Sequence, residues 1–248
     1  MTYSYKYIVD SLPKTKNSKS SWWVKLWVRK TSFIFTYLFI NLGWSSNAVS
    51  YLSVFVSLAA CALFCAGSNV CNIIAVVLIN FWLILDCVDG NIARCKKQRK
   101  LYGEFIDAMS GYFTVAFIYL ALSVAAFYQK DSFLGENAII IILGAITSIS
   151  DILARLIYTN YCSVIRPGET STEKSKTDDR HSINYLRKRV SKEFGISGLF
   201  MPLTIIGLIY NCYSYIVLFY LAFNVFALMS TAVMYAYKAE QYDSKNQI

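Results

Sequence analysis

Six stretches of the chain are apolar over a length that suits a membrane-spanning helix, and polar segments separate them. About 20 helical residues at 1.5 Å each cover the roughly 30 Å hydrocarbon core of a bilayer. The stretches lack the alternation of barrel strands, and a helix satisfies its own backbone polar groups in lipid. The pattern predicts an all-α integral membrane protein with six transmembrane helices. The fifth stretch is short and carries Pro202, which indicates either a kink there or a span whose ends lie elsewhere. The predicted spans are residues 46–66, 70–93, 105–127, 138–158, 196–210 and 215–235.

Residues 20–44, ahead of the first span, combine tryptophans with basic residues. This combination is typical of an amphipathic helix lying in the membrane interface. The alternative is a seventh span starting near Trp22, which would move the N-terminal charges to the other side. Residues 1–19 read as a flexible cytoplasmic arm, 45–238 as the six-helix domain and 239–248 as a cytoplasmic tail. The apolar positions Trp22, Trp23, Leu26, Trp27 and Ile34 recur at helical spacing, and Lys25, Arg29 and Lys30 interrupt them.

Composition and charge agree with a membrane protein and indicate its orientation. Of the residues, 56% are hydrophobic and 16% are charged, against roughly 25% charged in soluble domains. With six spans, every one of the 24 Lys and Arg residues except Lys130 falls on one side. Both termini, the 94–100 linker and the 160–193 loop are therefore expected to be cytoplasmic. The net charge of +9 is explained by contact with anionic membrane lipids, so we expect no nucleic-acid partner.

The 160–193 loop allows two interpretations. It is either a solvated basic loop or a lid of positive charge over an anionic substrate, and its part from residue 184 to 194 is expected to be helical.

Three aspartates lie at the cytoplasmic ends of the second and third spans, where membrane helices seldom carry acids. Asp86 and Asp89 are three residues apart and share a helix face, and Asp107 begins the next helix on the same side. Carboxylates without histidine or thiolate partners favour a hard cation such as Mg²⁺, Mn²⁺ or Ca²⁺. His181 is the only histidine, which argues against zinc. A structural ion pair with Arg94 would account for one aspartate and leave two unexplained.

Small residues and an arginine accompany these acids. Gly90, Ala93 and Gly103 allow a bulky ligand or a neighbouring helix to approach closely. Arg94 adds a permanent planar cation suited to phosphate. Together with a metal, these residues predict a site for a diphosphate-like group at the cytoplasmic membrane surface.

The same residues resemble the signature of the CDP-alcohol phosphatidyltransferase family, D-x2-D-G-x2-A-R-x8-G-x3-D-x3-D. The sequence "SSNAVS" also resembles the Pro-Asn-x-x-Thr motif that opens the family's first span, with Ser46, Asn47 and Ser50 as weaker matches. The last signature position departs from the family, because Gly111 replaces the final aspartate. The signature is matched by Asp86, Asp89, Gly90, Ala93, Arg94, Gly103 and Asp107.

The resemblance implies transfer of a phosphatidyl or other phospho-alcohol group from a CDP-alcohol, usually CDP-diacylglycerol, to an acceptor alcohol, with release of CMP. It implies Mg²⁺ or Mn²⁺ as cofactor, a role in phospholipid or lipid-linked glycan biosynthesis, and a homodimer. We expect the membrane to be a bacterial plasma membrane. Carried over residue by residue, the metal would be held by Asp86, Asp89 and Asp107, and the CDP-alcohol by Asn47, Gly90, Ala93, Arg94 and Gly103.

Gly111 raises the question of what replaces the family's last aspartate, which acts there as general base. Asp107 itself, Glu104 one turn nearer the cytoplasm and Asp151 in the fourth span are the catalytic candidates. Arg155 follows Asp151 at i+4, so a local ion pair is the alternative for that acid. Two other functions remain open: a catalytically silenced nucleotide- or lipid-binding protein on the same scaffold, and a cation or solute transporter.

Overall fold

The structure is a computed structural model that describes residues 3–13, 18, 20–97, 101–129, 134, 136–165 and 183–246, with the backbone alone for 183–188 and 245–246. All regular structure in these residues is helical. Short π-helical turns, Val24–Val28 and Ile196–Phe200, precede α2 and α8. The helices are α1 (Tyr5–Asp10), α2 (Arg29–Asn41), α3 (Ser46–Phe64), α4 (Asn69–Cys95), α5 (Leu101–Tyr128), α6 (Ile139–Ile165), α7 (Ile183–Phe194), α8 (Met201–Ile209) and α9 (Tyr213–Asn246).

The described residues contain six helices long and apolar enough to cross a membrane, so the prediction of a six-helix integral membrane protein is confirmed. Most of them run beyond the apolar stretches, because a helix continues into polar residues outside the hydrocarbon layer. α9, for example, has 34 residues, or about 51 Å. The six spans are Ser46–Phe64, Asn69–Cys95, Leu101–Tyr128, Ile139–Ile165, Arg189–Ile209 and Tyr213–Ser244.

The fifth span is interrupted by glycine and not by proline, so the expected kink at Pro202 is wrong in its position. Pro202 lies in the first turn of α8, where a missing N–H leaves no hydrogen bond unmade. The interruption is at Gly198, whose φ of −109° and ψ of −106° are not helical. A Cβ on Gly198 would lie 2.0 Å from the backbone oxygen of Glu193, so the chain can pass there only with glycine.

The spans pack as a series of neighbouring helices. α3 packs between α4 and α5, and α6 packs between α5 and α9. The α5–α6 contact depends on small residues: a Cβ on Gly144 would lie 2.1 Å from Ser123 Oγ and 2.9 Å from the backbone oxygen of Tyr119. Small residues at such contacts are a common way for membrane helices to approach closely.

The described N-terminal residues pack against α2 and α4. Ile8 of α1 is completely buried, the backbone of Tyr3 exchanges hydrogen bonds with the Asn41 side chain, and the Tyr7 hydroxyl contacts the backbone oxygen of Cys95. The polar residues 1–19 were expected to form a flexible arm, whereas their described part contains this helix. Ile8 is the one buried residue of α1, and a single apolar residue does not produce the periodic pattern by which a helix is predicted from sequence.

Residues 22–41 form one continuous helix that includes α2 and contacts α4. It is not among the six candidate spans in the described residues, and its position in the membrane interface stays a prediction. α7 begins at residue 183, in agreement with the helix expected near 184–194, and the preceding residues 166–182 of the basic loop lie outside the described part.

Candidate functional site

The first turn of α3 holds Asp89 of α4 in a fixed position. Asp89 is buried, with 4% of its surface exposed. The Ser50 hydroxyl donates a 2.6 Å hydrogen bond to Asp89 Oδ2, and the Ser46 hydroxyl donates to the Asp89 backbone oxygen at 2.9 Å. Ser46 and Ser50 are one helical turn apart, so both reach α4 from the same face of α3. The two weaker sequence matches therefore contact the central aspartate directly.

The other two aspartates lie close enough to Asp89 for their charges to repel its carboxylate. Asp86 is half-buried on the same helix, and Asp107 is exposed near the beginning of α5. The three acids therefore interact electrostatically, and their joint role in metal binding stays a prediction. Three carboxylates near one another, one of them removed from water, form a site of strongly negative potential.

The donor set fits a hard divalent cation in its chemistry. Carboxylate and hydroxyl oxygens surround Asp89, and Mg²⁺ and Mn²⁺ prefer such ligands. The side-chain positions do not by themselves form a metal site. Among the residues that the structure describes, no three His, Cys, Asp or Glu side chains lie close enough together to hold a metal ion.

The residues predicted to line the CDP-alcohol site lie around the same end of α4. Gly103 adjoins Asn47, because a Cβ on Gly103 would be 3.4 Å from Asn47 Oδ1. That distance is an ordinary contact, so the position tolerates a small side chain and glycine is not strictly required by Asn47. Gly90, Ala93 and Arg94 are half-buried along the last turns of α4.

Arg94 bonds to a neutral neighbour. Its Nη2 donates to Asn91 Oδ1, and the Asn91 amide donates in turn to the hydroxyls of Ser32 and Thr36 on α2. The Arg94 Nε is buried without a hydrogen-bond partner in the described residues. The side-chain hydrogen bond of Arg94 thus goes to an amide, and Asp89 interacts with Arg94 electrostatically.

Gly111 borders open space. A Cβ at this position meets no atom within 4 Å in the described structure. The family's aspartate is thus not excluded by a neighbouring helix, and the replacement by glycine leaves room beside α5.

The two alternative acids lie in different surroundings. Glu104 is exposed in the first turn of α5, one turn before Asp107. Asp151 Oδ1 accepts a hydrogen bond from Arg155 Nε at 2.9 Å, which is the local ion pair that the i+4 spacing allows. Arg155 in turn interacts electrostatically with Tyr112 and Tyr119 of α5, so the pair adjoins the helix that carries Gly111.

Several polar contacts near the site were not predicted from the sequence. The Tyr51 and Tyr102 hydroxyls contact each other and join α3 to the start of α5. The Ser53 and Ser110 hydroxyls form a 2.7 Å hydrogen bond. Asn91 falls on a variable position of the signature, and only its buried amide beside an arginine in an apolar helix could have drawn attention to it.

The chain matches a protein-family model described as CDP-alcohol phosphatidyltransferase over residues 44–237. The match includes the first five spans, the sixth up to residue 237, and Asp86, Asp89 and Asp107, and it begins after α2. A search of curated protein sequences gave no significant match.

Proposed function

Because the chain belongs to the CDP-alcohol phosphatidyltransferase family, we propose that it transfers a phosphatidyl or other phospho-alcohol group from a CDP-alcohol to an acceptor alcohol and releases CMP. CDP-diacylglycerol is the favoured donor, since the site lies where a membrane helix meets its polar connection. The reaction would belong to phospholipid or lipid-linked glycan biosynthesis. The observation that carries the proposal is the buried Asp89 carboxylate, held by Ser50 and interacting with Asp86 and Asp107.

The proposed reaction exchanges one phosphorus–oxygen bond for another. The acceptor hydroxyl attacks the phosphorus that carries the donor's alcohol, the bond from this phosphorus to the bridging oxygen breaks, and CMP leaves with that oxygen. The hydroxyl proton passes to a carboxylate, for which Asp107, Glu104 and Asp151 are the candidates. Phosphoryl transfer depends mainly on positioning and on neutralising charge, and buried aspartate and arginine side chains are suited to both tasks.

Asp86, Asp89 and Asp107 would hold Mg²⁺ or Mn²⁺, which supplies neutralisation of the diphosphate charge when it is bound. Asp89 is already fixed by Ser50, whereas Asp86 and Asp107 are less buried and interact with it electrostatically. Gly90, Ala93 and Gly103 leave room for the donor, and Asn47 and Arg94 offer it polar contacts.

The proposed orientation places both termini and the site in the cytoplasm, with the protein in a bacterial plasma membrane. It is supported by the segregation of all Lys and Arg residues except Lys130 to the side of the aspartates. We also propose a homodimer, as in other family members.

The test is CMP release by the purified protein in lipid nanodiscs, with CDP-diacylglycerol, Mg²⁺ or Mn²⁺, and a mixture of polyol, amino-alcohol and sugar acceptors. We expect metal-dependent CMP that EDTA abolishes and that Asp89→Asn reduces to background. Asp243→Asn, which removes an exposed acid from the end of α9, is the matched control and should remain active. Full activity of Asp89→Asn would refute the metal assignment.

The glycine at position 111 favours a second candidate function, that of a catalytically inactive protein that binds the CDP-alcohol without turnover. In that case the nanodisc assay would give donor binding and no CMP with any acceptor.

A further inference from the structure

A second arginine lies buried beside the site, outside the part of the chain that the family model matches. Arg29 is the first residue of α2, and only 7% of its surface is exposed. Its Nη2 donates to the Ser20 hydroxyl at 3.0 Å, while its Nε is buried without a partner in the described residues. A guanidinium stays charged at all ordinary pH values, and a buried donor without an acceptor is costly. The missing partner is therefore expected to be an anion.

Arg94 has the same deficiency and is close by. Its Nε is also buried without a partner, and its charge and that of Arg29 repel each other. In the described part of the chain, the hydrogen-bond partners of both guanidiniums are neutral: Ser20 for Arg29 and Asn91 for Arg94. Asp89 also interacts with Arg94, but one carboxylate offsets only one of two neighbouring positive charges, of which Arg29 is buried and Arg94 half-buried.

A chain of hydrogen bonds holds the two arginines in one frame. The Ser32 hydroxyl donates to the Arg29 backbone oxygen at 2.8 Å, and Asn91 Nδ2 donates to Ser32 Oγ at 3.3 Å and to Thr36 Oγ1 at 3.0 Å. Asn91 Oδ1 then accepts from Arg94. Asn91 thereby fixes the side chain of Arg94 relative to the turn of α2 that begins with Arg29.

We propose that Arg29 and Arg94 bind one phosphate group between them, with Asn91 as a positioning residue. Two planar guanidiniums with free Nε donors match the several oxygens of a phosphate ester or diphosphate. The group would be carried by a substrate or a lipid headgroup that reaches this end of α4. The assignment of that phosphate to the transferase substrate rests on the proposed function, but the binding of a phosphate does not.

The first experiment measures binding of radiolabelled inorganic pyrophosphate by equilibrium dialysis, with the full chain in phosphatidylcholine nanodiscs and with EDTA present. EDTA removes any contribution of a metal at the aspartates. We expect saturable binding, weakened about tenfold or more by Arg29→Gln and similarly by Arg94→Gln. The double variant should lose less than the product of the two factors, because both side chains hold the same group. Lys30→Gln is the matched control: it removes the same charge from an exposed position next to Arg29 and should leave the affinity unchanged.

Competition identifies the source of the phosphate. Displacement by CDP points to the donor, displacement by glycerol 3-phosphate points to a phosphorylated acceptor, and loss of binding in phosphatidylglycerol nanodiscs points to a lipid headgroup. Each of these results supports a phosphate site. Absence of saturable binding by the wild-type chain, or an equal loss in Lys30→Gln, would overturn it.

Further readouts separate this site from a structural role of Arg29 and from the proposed function. If Arg29 only anchors Ser20, Arg29→Gln lowers thermal stability and leaves the pyrophosphate affinity of the folded protein unchanged, which contradicts the proposal. Arg29→Lys retains a charge without the planar fork, and an intermediate affinity supports a phosphate ligand even where the glutamine variant does not fold. If pyrophosphate binding depends on Arg29 but the protein releases no CMP, only the transferase proposal is contradicted. If Arg29→Gln releases CMP with an unchanged KM and binds pyrophosphate with an unchanged affinity, only the proposal of the phosphate site is contradicted.

Discussion

Restoring the family's last aspartate with Gly111→Asp tests whether this position can act as general base. A Cβ on Gly111 meets nothing within 4 Å, so the new side chain enters open space. It would follow Asp107 at i+4 on the same face of α5 and therefore point toward the aspartate site.

The expected gain in reaction rate from a new general base exceeds the expected cost of repulsion between the two carboxylates. A positioned general base is typically worth about 10²–10⁴-fold in rate, or roughly 3–5 kcal/mol of activation free energy. Repulsion between carboxylates at i and i+4 costs about 0.2–0.5 kcal/mol, and replacing glycine within a helix offsets part of this. We therefore expect Gly111→Asp to release CMP about 10²-fold faster than the wild-type chain.

The assay is CMP release at saturating donor and metal, with Gly111→Asn as the control of equal size and no charge. The aspartate variant should exceed the asparagine variant by the same factor. Equal rates in the two variants would refute a base function at this position and favour Glu104 or Asp151. Loss of activity in both, with Gly111→Ala unaffected, would show that the open space beside Gly111 is needed by the acceptor.

Two further predictions follow from contacts within α3 to α6. Ser50→Ala removes the 2.6 Å hydrogen bond to Asp89, so the Mn²⁺ concentration for half-maximal CMP release should rise about tenfold. Ser57→Ala is the control, because the Ser57 hydroxyl donates to the Val54 backbone oxygen within α3, and it should leave this concentration unchanged. Gly144→Ala places a Cβ 2.1 Å from Ser123 Oγ and should destabilise the fold by about 1–3 kcal/mol, measured by thermal unfolding in detergent. Gly111→Ala is the control and should not destabilise the fold. Equal stabilities of the two variants would contradict the close α5–α6 contact.

The six spans could be predicted because long apolar runs leave few alternatives in a membrane. The break in the fifth span could not be placed in the same way. Pro202 is the residue that usually signals a kink, but its position in the first turn of α8 makes it harmless. The role of Gly198 depends on how closely the Glu193 backbone passes it, which is a tertiary distance that no local pattern encodes.

The candidate site was predictable to the extent that its residues follow one another at fixed helical spacing. Asp86, Asp89 and Asp107 could be brought together from sequence because two adjacent helices meet at the same side of the membrane. Arg29 could not be added to them. It reads as one of several interfacial basic residues, and only the packing of α2 against α4 distinguishes it from the exposed Lys30.

Differences in burial among the three aspartates indicate different tasks within one site. Asp89 is buried and held by Ser50, so its carboxylate can give a bound cation a fixed reference position. Asp107 is exposed on α5, so it can exchange a proton with water more readily than the buried Asp89. With glycine at position 111, this exposure would let Asp107 combine metal contact with proton acceptance, two tasks that two aspartates share in the family's signature. The proposed gain from Gly111→Asp then has a physical basis: a second carboxylate would free Asp107 to remain on the metal.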